Sequence, residues 1–268
     1  MNFSKFIWAK LGFAKKIPGM YKLYKWLMNV IYPDGKVLVI KNGPLTGFLW
    51  KRYRCHQAWM AMGMYEPHVS EIISSVLKPG DVFYDIGANA GYFSLLGAKL
   101  VNPEGIVVAF DPVPINVNTI SENISINNFS NVCKVVSFAV SDRSGEMELI
   151  IPKVNANSHL AVFDAPNVKE SGMAIKVSSI TLDEFSLSNP IPALIKMDIE
   201  GAEVAALNGA FEMLHKHHPT LLISTHSVEL DKEVKEIIYS HGYDLNNIDD
   251  FEQMIFASYK KNHEKRQI

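Results

Sequence analysis

The stretch Asp81-Val-Phe-Tyr-Asp-Ile-Gly-Ala-Asn-Ala-Gly91 decides the fold of this chain. It begins as a mainly apolar run, which is typical of a buried strand. Gly87 then permits a tight turn, because glycine has no Cβ. Residues 91–101 predict a helix with free N–H groups at its start, where Gly91 is expected to let a ligand approach the backbone. Strand, glycine turn and helix in this order indicate a ligand site at the end of a strand.

The same alternation continues toward the C-terminus. Apolar strands separated by helices are typical of a parallel sheet that is covered on both faces. We therefore predict a doubly wound α/β fold with a mostly parallel sheet and an antiparallel C-terminal hairpin at its edge. The hairpin is predicted at 243–248 and 253–259, the other strands at 106–112, 134–141, 193–199 and 220–225, and the helices at 68–77, 114–127, 201–215 and 230–241. An N-terminal hairpin is predicted at 36–50, a long loop at 152–173 and an edge strand at 175–180.

The chain divides into three parts by composition. We predict an N-terminal extension of helices and a hairpin at 1–66, a main domain at 67–259 and a charged tail at 260–268. Residues 1–33 carry six lysines and no acid, interleaved with aromatic residues. Two explanations stay open for this segment. It is either a helix that lies on an anionic lipid surface, as a peripheral membrane contact, or a helix that packs its aromatic residues on the main domain.

Composition excludes several classes of protein. The 268 residues are 48% hydrophobic and 20% charged, which is enough to bury a large core without disulfides or a structural metal. The formal net charge of −2 argues against a nucleic-acid partner. Cys55 and Cys133 stand far apart, so neither a cysteine-based zinc site nor a disulfide framework is expected. No segment is predicted to span a membrane, and the expected location is cytoplasmic.

Two acids stand where ligands bind in an open α/β sheet, beyond the carboxyl ends of strands. Asp85 ends the first strand of the main domain and Asp111 ends the second. The turn after Asp85 lacks the G-x-G-x-x-G pattern of dinucleotide-binding proteins. A carboxylate there would repel a pyrophosphate, whereas it would attract an ammonium or sulfonium group. Asp111 is placed to accept hydrogen bonds from the hydroxyls of a ribose.

Four motifs follow one another along the chain. They are Gly63-Met-Tyr-Glu-Pro67, the turn at 85–91, Ala109-Phe-Asp-Pro112 and Lys196-Met-Asp-Ile-Glu-Gly-Ala-Glu203. Together they resemble the FkbM family of S-adenosylmethionine-dependent methyltransferases, over the region from about Gly63 to His226. One position departs from that family, because Ser224 stands where the family carries Glu.

The resemblance implies a Rossmann-like class I methyltransferase fold with S-adenosylmethionine as its cofactor. It implies that Asp85 attracts the methionine ammonium, that Asp111 binds the ribose, and that Ala139 and its neighbours flank the adenine. The glycines of the turn would hold the methionine end. The full set of cofactor-binding residues predicted in this way is Asp85, Gly87, Ala88, Asn89, Gly91, Asp111, Ala139 and Asp198.

Three residues are predicted to carry the chemistry of the acceptor side: Asp198, Glu200 and His226. Methyl transfer to a hydroxyl needs alignment of the reactants and removal of a proton. His226 has the ordinary pKa best suited to a base near neutral pH. The two carboxylates would orient its imidazole, bind sugar hydroxyls or hold a divalent cation. We predict no metal site, because the pattern D-x-E alone is a weak signal. The alternative to a catalytic role for Glu200 is that its charge only favours a helix N-terminus.

The predicted reaction is methyl transfer from S-adenosylmethionine to an acceptor hydroxyl of a sugar, glycan or related natural product. The partner is therefore a small-molecule or glycan acceptor. Two alternatives stay open, a nicotinamide-dependent oxidoreductase and a non-catalytic Rossmann-fold binding module. The sequence leaves the acceptor, the methylated atom and the oligomeric state undecided.

Overall fold

The computed structural model describes residues 33–53, 58–152, 172–246 and 253–259, together with Trp26, Val30 and Ile31. The predictions for the N-terminal helices and the C-terminal tail lie outside the described residues. The same holds for most of the 152–173 loop, for the Asp249-Asp250 turn and for Cys55. Within the described ranges, no helix is both long and apolar enough to cross a membrane.

The strands and helices of the described residues alternate through most of the main domain, as predicted, but between residues 133 and 180 the described elements are four successive strands. The strands are β1 Val37–Val39, β2 Leu49–Lys51, β3 Val82–Ile86, β4 Ile106–Phe110, β5 Cys133–Val136, β6 Ala139–Val140, β7 Gly145–Pro152, β8 Gly172–Ile180, β9 Leu194–Met197, β10 Thr220–Ser224, β11 Tyr243–Asn246 and β12 Met254–Tyr259. The helices are α1 Ala58–Met62, α2 Pro67–Val76, α3 Tyr92–Val101, α4 Pro114–Ile126, α5 Leu182–Ser186, α6 Glu203–Asn208, α7 Phe211–His217 and α8 Val228–Ser240.

The main sheet has seven strands in the order β5-β4-β3-β9-β10-β12-β11. Strands β3, β4, β5, β9 and β10 pair in parallel, which confirms the predicted mostly parallel sheet. The chain moves outward from β3 to β5 and then returns to pair β9 on the other side of β3. The strand order therefore reverses between β3 and β9, and this is where such sheets bind ligands.

The C-terminal hairpin forms the antiparallel edge of the sheet, as predicted. Its antiparallel strand β12 inserts between β10 and β11, so the outermost strand is β11. The physical reason is burial. Ile255 and Ala257 of β12 are buried in the core, whereas β11 is buried only at Tyr243.

A second, three-stranded sheet has the order β6-β8-β7 and corrects two predictions. The strand predicted at 134–141 is broken at Ser137-Phe138, and its second part, β6, leaves the main sheet to pair with β8. Strand β8 is thus the middle strand of the small sheet and not an edge of the large one. Leu149 and Val177 supply the reason, because they form a separate apolar cluster with Val113.

Helix 201–215 was predicted as one element and is two. The break lies at Gly209-Ala210, between α6 and α7. A Cβ on Gly209 would lie 2.0 Å from the carbonyl oxygen of Ser141, the residue after β6. The backbone approaches Ser141 so closely that only glycine fits at this break. Asp183 then accepts hydrogen bonds from the first N–H groups of α7.

The described part of the extension shares the core of the main domain. Ile40, Leu45 and Trp50 belong to the same apolar cluster as the residues of α3. Two asparagines fix the hairpin: Asn123 of α4 and Asn127, which follows that helix, accept hydrogen bonds from the backbone N–H groups of β2. Asn123 also donates to the carbonyl of Ala90, so the hairpin is tied directly to the turn after β3.

Candidate functional site

The turn after β3 is clamped between the two neighbouring strands. Gly87 has φ +78°, and a Cβ there would lie 2.0 Å from the carbonyl oxygen of Asp198. The N–H groups of Gly87 and Ala88 both donate to the carbonyl of Phe110 at the end of β4. The predicted tight turn is therefore confirmed, and the absence of a side chain at Gly87 lets β9 approach.

Gly91 packs closely on a neighbouring helix, and its role in ligand approach remains a prediction. It precedes α3 with φ +84°. A Cβ there would lie 3.1 to 3.4 Å from atoms of Ile120 in α4. Glycine is needed at this position because the start of α3 packs closely on α4.

Asp85 faces two protein groups. It is fully buried, and its Oδ2 accepts a hydrogen bond of 2.5 Å from Ser94. Its Oδ1 has no hydrogen-bond partner, although Nζ of Lys196 lies 3.7 Å away. Burial raises the pKa of Asp85, and the nearby lysine opposes that shift. The contact with a methionine ammonium remains a prediction, and Oδ1 is the atom that could make it.

Asp111 links the turn to the end of β4. It is buried, and its carboxylate accepts hydrogen bonds from the backbone N–H groups of Asn89 and Val113 and from Nδ2 of Asn116. Burial raises the pKa of Asp111 to about 7. Ala139 packs against the cluster that contains Val113, so the residues predicted for ribose and adenine lie on neighbouring elements.

The three predicted catalytic residues meet at one place. Nε2 of His226 lies 3.1 Å from Oδ1 of Asp198, and its Nδ1 lies 3.4 Å from Oε2 of Glu200. A third carboxylate, that of Glu203, lies 3.8 Å from Nε2. Asp198 and His226 follow β9 and β10, which are parallel neighbours, so their side chains reach the same edge of the sheet.

Glu203 holds the turn that presents Glu200. Glu200 has φ +57°, a left-handed conformation that is unusual for a residue with a Cβ. The carboxylate of Glu203 is fully buried and accepts hydrogen bonds from the backbone N–H groups of Ile199 and Gly201. Glu203 therefore closes the loop between β9 and α6 and sets the direction of Glu200.

The environment of His226 changes the expectation for its charge. The hydrogen bond to Asp198 raises the pKa of His226 to about 9, with smaller contributions from the charges of Glu200 and Glu203. In the free protein the imidazole therefore holds a proton at neutral pH, contrary to the expectation that it titrates near 7. The catalytic role of His226 remains a prediction. A raised pKa makes the neutral imidazole a stronger base, but most of the imidazole is protonated at neutral pH.

Lys196 is the residue of this site that sequence reasoning missed. It is 3% exposed, and its Nζ lies 3.6 Å from Oδ2 of Asp198 as well as 3.7 Å from Asp85. Although burial lowers the pKa of Lys196, the charges of Asp198 and Asp85 raise it above its ordinary value. The signal in the sequence is a lone lysine within the apolar run of β9.

Two further features bear on ligands. Asp198, Glu200 and His226 each offer an atom able to ligate a metal, and these atoms lie within 4.8 Å of one another. The predicted absence of a metal site stays a prediction. A cavity of about 310 Å³ opens beside this cluster and is lined by Gly201, His226, Ser227, Glu229, Leu230 and Glu233.

Residues 85–245, more than half of the chain, match the methyltransferase FkbM domain family. The chain belongs to this family. The resemblance seen in the motifs is thereby confirmed, and this FkbM-family protein is an S-adenosylmethionine-dependent methyltransferase by class.

This FkbM-family chain is similar to three known proteins. It is 24% identical over 239 residues to the 31-O-demethyl-FK506 methyltransferase FkbM of Streptomyces tacrolimicus, covering 79% of this chain and 86% of the relative. It is 25% identical to the hexuronic acid methyltransferase AglP of Haloferax volcanii, covering 65% and 67%. A solved methyltransferase FkbM from Methylobacillus flagellatus KT superposes with a TM-score of 0.49 at 18% identity. The superposed region covers 77% of this chain and 56% of that chain.

Proposed function

We propose that the protein transfers the methyl group of S-adenosylmethionine to a hydroxyl oxygen of a sugar, glycan or related natural product. The observation that carries this proposal is the position of His226 between Asp198 and Glu200, beside a cavity and next to the β3 turn. Membership of the FkbM family supports the transferred group. The printed names of two relatives, a 31-O-demethyl-FK506 methyltransferase and a hexuronic acid methyltransferase, support a hydroxylated acceptor.

The residues of the β3 turn fit the cofactor. Two buried oxygens there, Asp85 Oδ1 and Asn89 Oδ1, have no hydrogen-bond partner among the residues that the structure describes. Buried polar atoms are normally hydrogen-bonded, so we expect a ligand to donate a hydrogen bond to each of these two oxygens. An amino acid ammonium and ribose hydroxyls are such donors, and Asp111 lies next to Asn89 to accept from the ribose. When bound, the cofactor supplies an electrophilic methyl group on a positively charged sulfur.

The acceptor side handles the proton. We assign the acceptor hydroxyl to the cavity beside His226, where the neutral imidazole would accept the proton of that hydroxyl. The imidazolium formed is stabilised by the carboxylates of Asp198 and Glu200, which already face its two nitrogens. The role of the two carboxylates is thus to make His226 a strong base and to hold its ring in one orientation.

The decisive experiment is calorimetric titration of the full chain with S-adenosylmethionine, with NAD as the control. Selective binding, weakened in Asp111→Ala, would support the cofactor assignment. Tritium transfer from labelled cofactor to a panel of neutral sugars, uronic acids and polyketide alcohols would then find the acceptor. Absence of binding by a folded protein would overturn the proposal, and binding of NAD alone would favour the oxidoreductase alternative.

A further inference from the structure

Lys196 lies between the cofactor side and the acceptor side of the site. Its Nζ is 3.7 Å from Asp85 Oδ1 and 3.6 Å from Asp198 Oδ2, and it lies 5.2 Å from the centre of the Phe93 ring. Two carboxylates and one aromatic face therefore lie close to its ammonium group, and the charge of Glu66 also acts on it. Burial of a charged lysine costs desolvation free energy unless the charge is paired, so we expect this arrangement to serve a role.

The sheet register explains how the three side chains meet. Asp85 of β3 and Lys196 of β9 are direct neighbours across two parallel strands. Asp198 stands two positions after Lys196, and side chains two apart in an extended chain point to the same face of a sheet. The side chain of Lys196 therefore lies close to both Asp85 and Asp198.

The two oxygens of Asp198 have different partners. Oδ2 lies beside Lys196, whereas Oδ1 lies 3.1 Å from Nε2 of His226. We infer that Lys196 is a positioning residue: by holding Oδ2, it turns Oδ1 of Asp198 toward the imidazole and thereby fixes the orientation of His226. The same ammonium also anchors the arrangement to Asp85, on the side that we assign to the cofactor.

This inference rests on the proposed function only for its consequence in catalysis. The geometry itself can be tested in the free protein, without an acceptor. The groups that face the imidazole are Asp198, Glu200 and Glu203, and Lys196 reaches it only through Asp198. If a substitution of Lys196 lowers the pKa of His226, that effect therefore reports on the orientation of Asp198.

The test is the pKa of His226, measured by NMR of histidine side chains in the wild type and in Lys196→Gln, with the signal assigned from His226→Asn. If Lys196 orients Asp198, its loss weakens the hydrogen bond to Nε2, and the pKa falls from about 9 by about one unit or more. If Lys196 acted only as a nearby positive charge, its removal would raise that pKa. A rise, or no change, would overturn the inference.

Three further variants make the result decisive. Asp198→Asn gives the lower reference value, toward which Lys196→Gln should move. Lys134→Gln removes an exposed lysine of β5 that pairs with Asn189, and it should leave His226 unchanged. Asp85→Asn keeps Lys196 and should also leave the pKa near 9.

The buried carboxylate of Asp85 is left without a cation in Lys196→Gln, and this variant therefore has a companion. The double variant Lys196→Gln/Asp85→Asn removes that carboxylate and allows the same measurement if the single variant does not fold. Calorimetry with S-adenosylmethionine separates the two claims. A protein that fails to bind the cofactor but shows the lowered pKa would overturn the proposed function and leave the positioning role intact.

Discussion

Nε2 of His226 lies 3.1 Å from Oδ1 of Asp198, although the two residues are 28 positions apart in the chain. The pair exists because β9 and β10 are parallel neighbours, Asp198 is the first residue after β9 and His226 is the second after β10. Glu200 faces the other ring nitrogen, so a protonated imidazole satisfies both carboxylates at once. Charge, more than exposure to solvent, therefore determines the state of this histidine.

The first prediction concerns stability and pH. Because the pKa of His226 is raised from 6.5 to about 9 in the folded protein, its protonation stabilises the fold. This contribution is fully present below pH 6.5 and is lost as the pH rises through 9. The melting temperature of the wild type should exceed that of His226→Asn most clearly near pH 6, and the difference should shrink by pH 10.

Thermal unfolding followed by circular dichroism between pH 6 and pH 10 measures this difference. The Asp198→Asn background is the control, since it removes the largest cause of the raised pKa and should flatten the trend. A difference that stays constant across the range would contradict the assignment.

The second prediction separates catalysis from binding. Asp198→Ala should lower turnover by roughly 100-fold or more, which is a typical loss when a general base is disabled. Although Asp198 is itself in the predicted cofactor set, affinity for S-adenosylmethionine should stay within a few-fold, because the other predicted cofactor-binding residues remain. The matched control is Glu236→Ala, an exposed acid of α8 that pairs with Lys232 and lies outside the cavity lining. Turnover within a few-fold of the wild type would show that Asp198 is not catalytic.

The third prediction concerns Asp111 and the cofactor. The pKa of its carboxyl is raised to about 7, and the ionised form is the better acceptor for two ribose hydroxyls, because neither of its oxygens carries a proton. Affinity for S-adenosylmethionine should therefore increase as the pH rises from 6 to 8. Calorimetry on Asp111→Asn should show weaker binding in which this part of the pH dependence has disappeared. An unchanged pH dependence in the variant would assign it to another group.

The fourth prediction compares three glycines with positive φ. Gly80→Ala meets no atom within 4 Å, so it reports only the cost of a left-handed alanine, about 1 kcal/mol or slightly more. Gly91→Ala adds the contact with Ile120, and Gly87→Ala adds a clash with the carbonyl of Asp198. Urea unfolding should rank the losses Gly87 > Gly91 > Gly80. A Gly87→Ala variant as stable as Gly80→Ala would contradict the close approach of β9.

The fifth prediction concerns metals. Lys196 lies beside Asp198, and both nitrogens of His226 face carboxylates, so a divalent cation would have to displace a proton and compete with an ammonium group. We expect treatment with EDTA followed by desalting to leave turnover unchanged. Loss of turnover that is restored by added Mg²⁺ or Mn²⁺ would show that the three residues form a metal site.

Much of the fold could be predicted from local pattern. The strand, turn and helix around Gly87 agree with the structure to within a residue, because apolar runs and glycine punctuation act over short distances. Predictions that depended on distant partners were less accurate. The strand predicted at 134–141 is broken in two, and β8, predicted as an edge strand, is the middle strand of a second sheet.

The candidate site shows the same division. The sequence by itself determined which acids and which histidine end the strands of a parallel sheet, since those positions follow from chain order. Only the tertiary structure decided that Lys196 stands opposite Asp85 and that His226 is flanked by carboxylates. Strand register and burial set those contacts, and they depend on residues far apart in the chain. The charge of a side chain follows from such contacts, so the protonation of His226 could not be inferred from residue type.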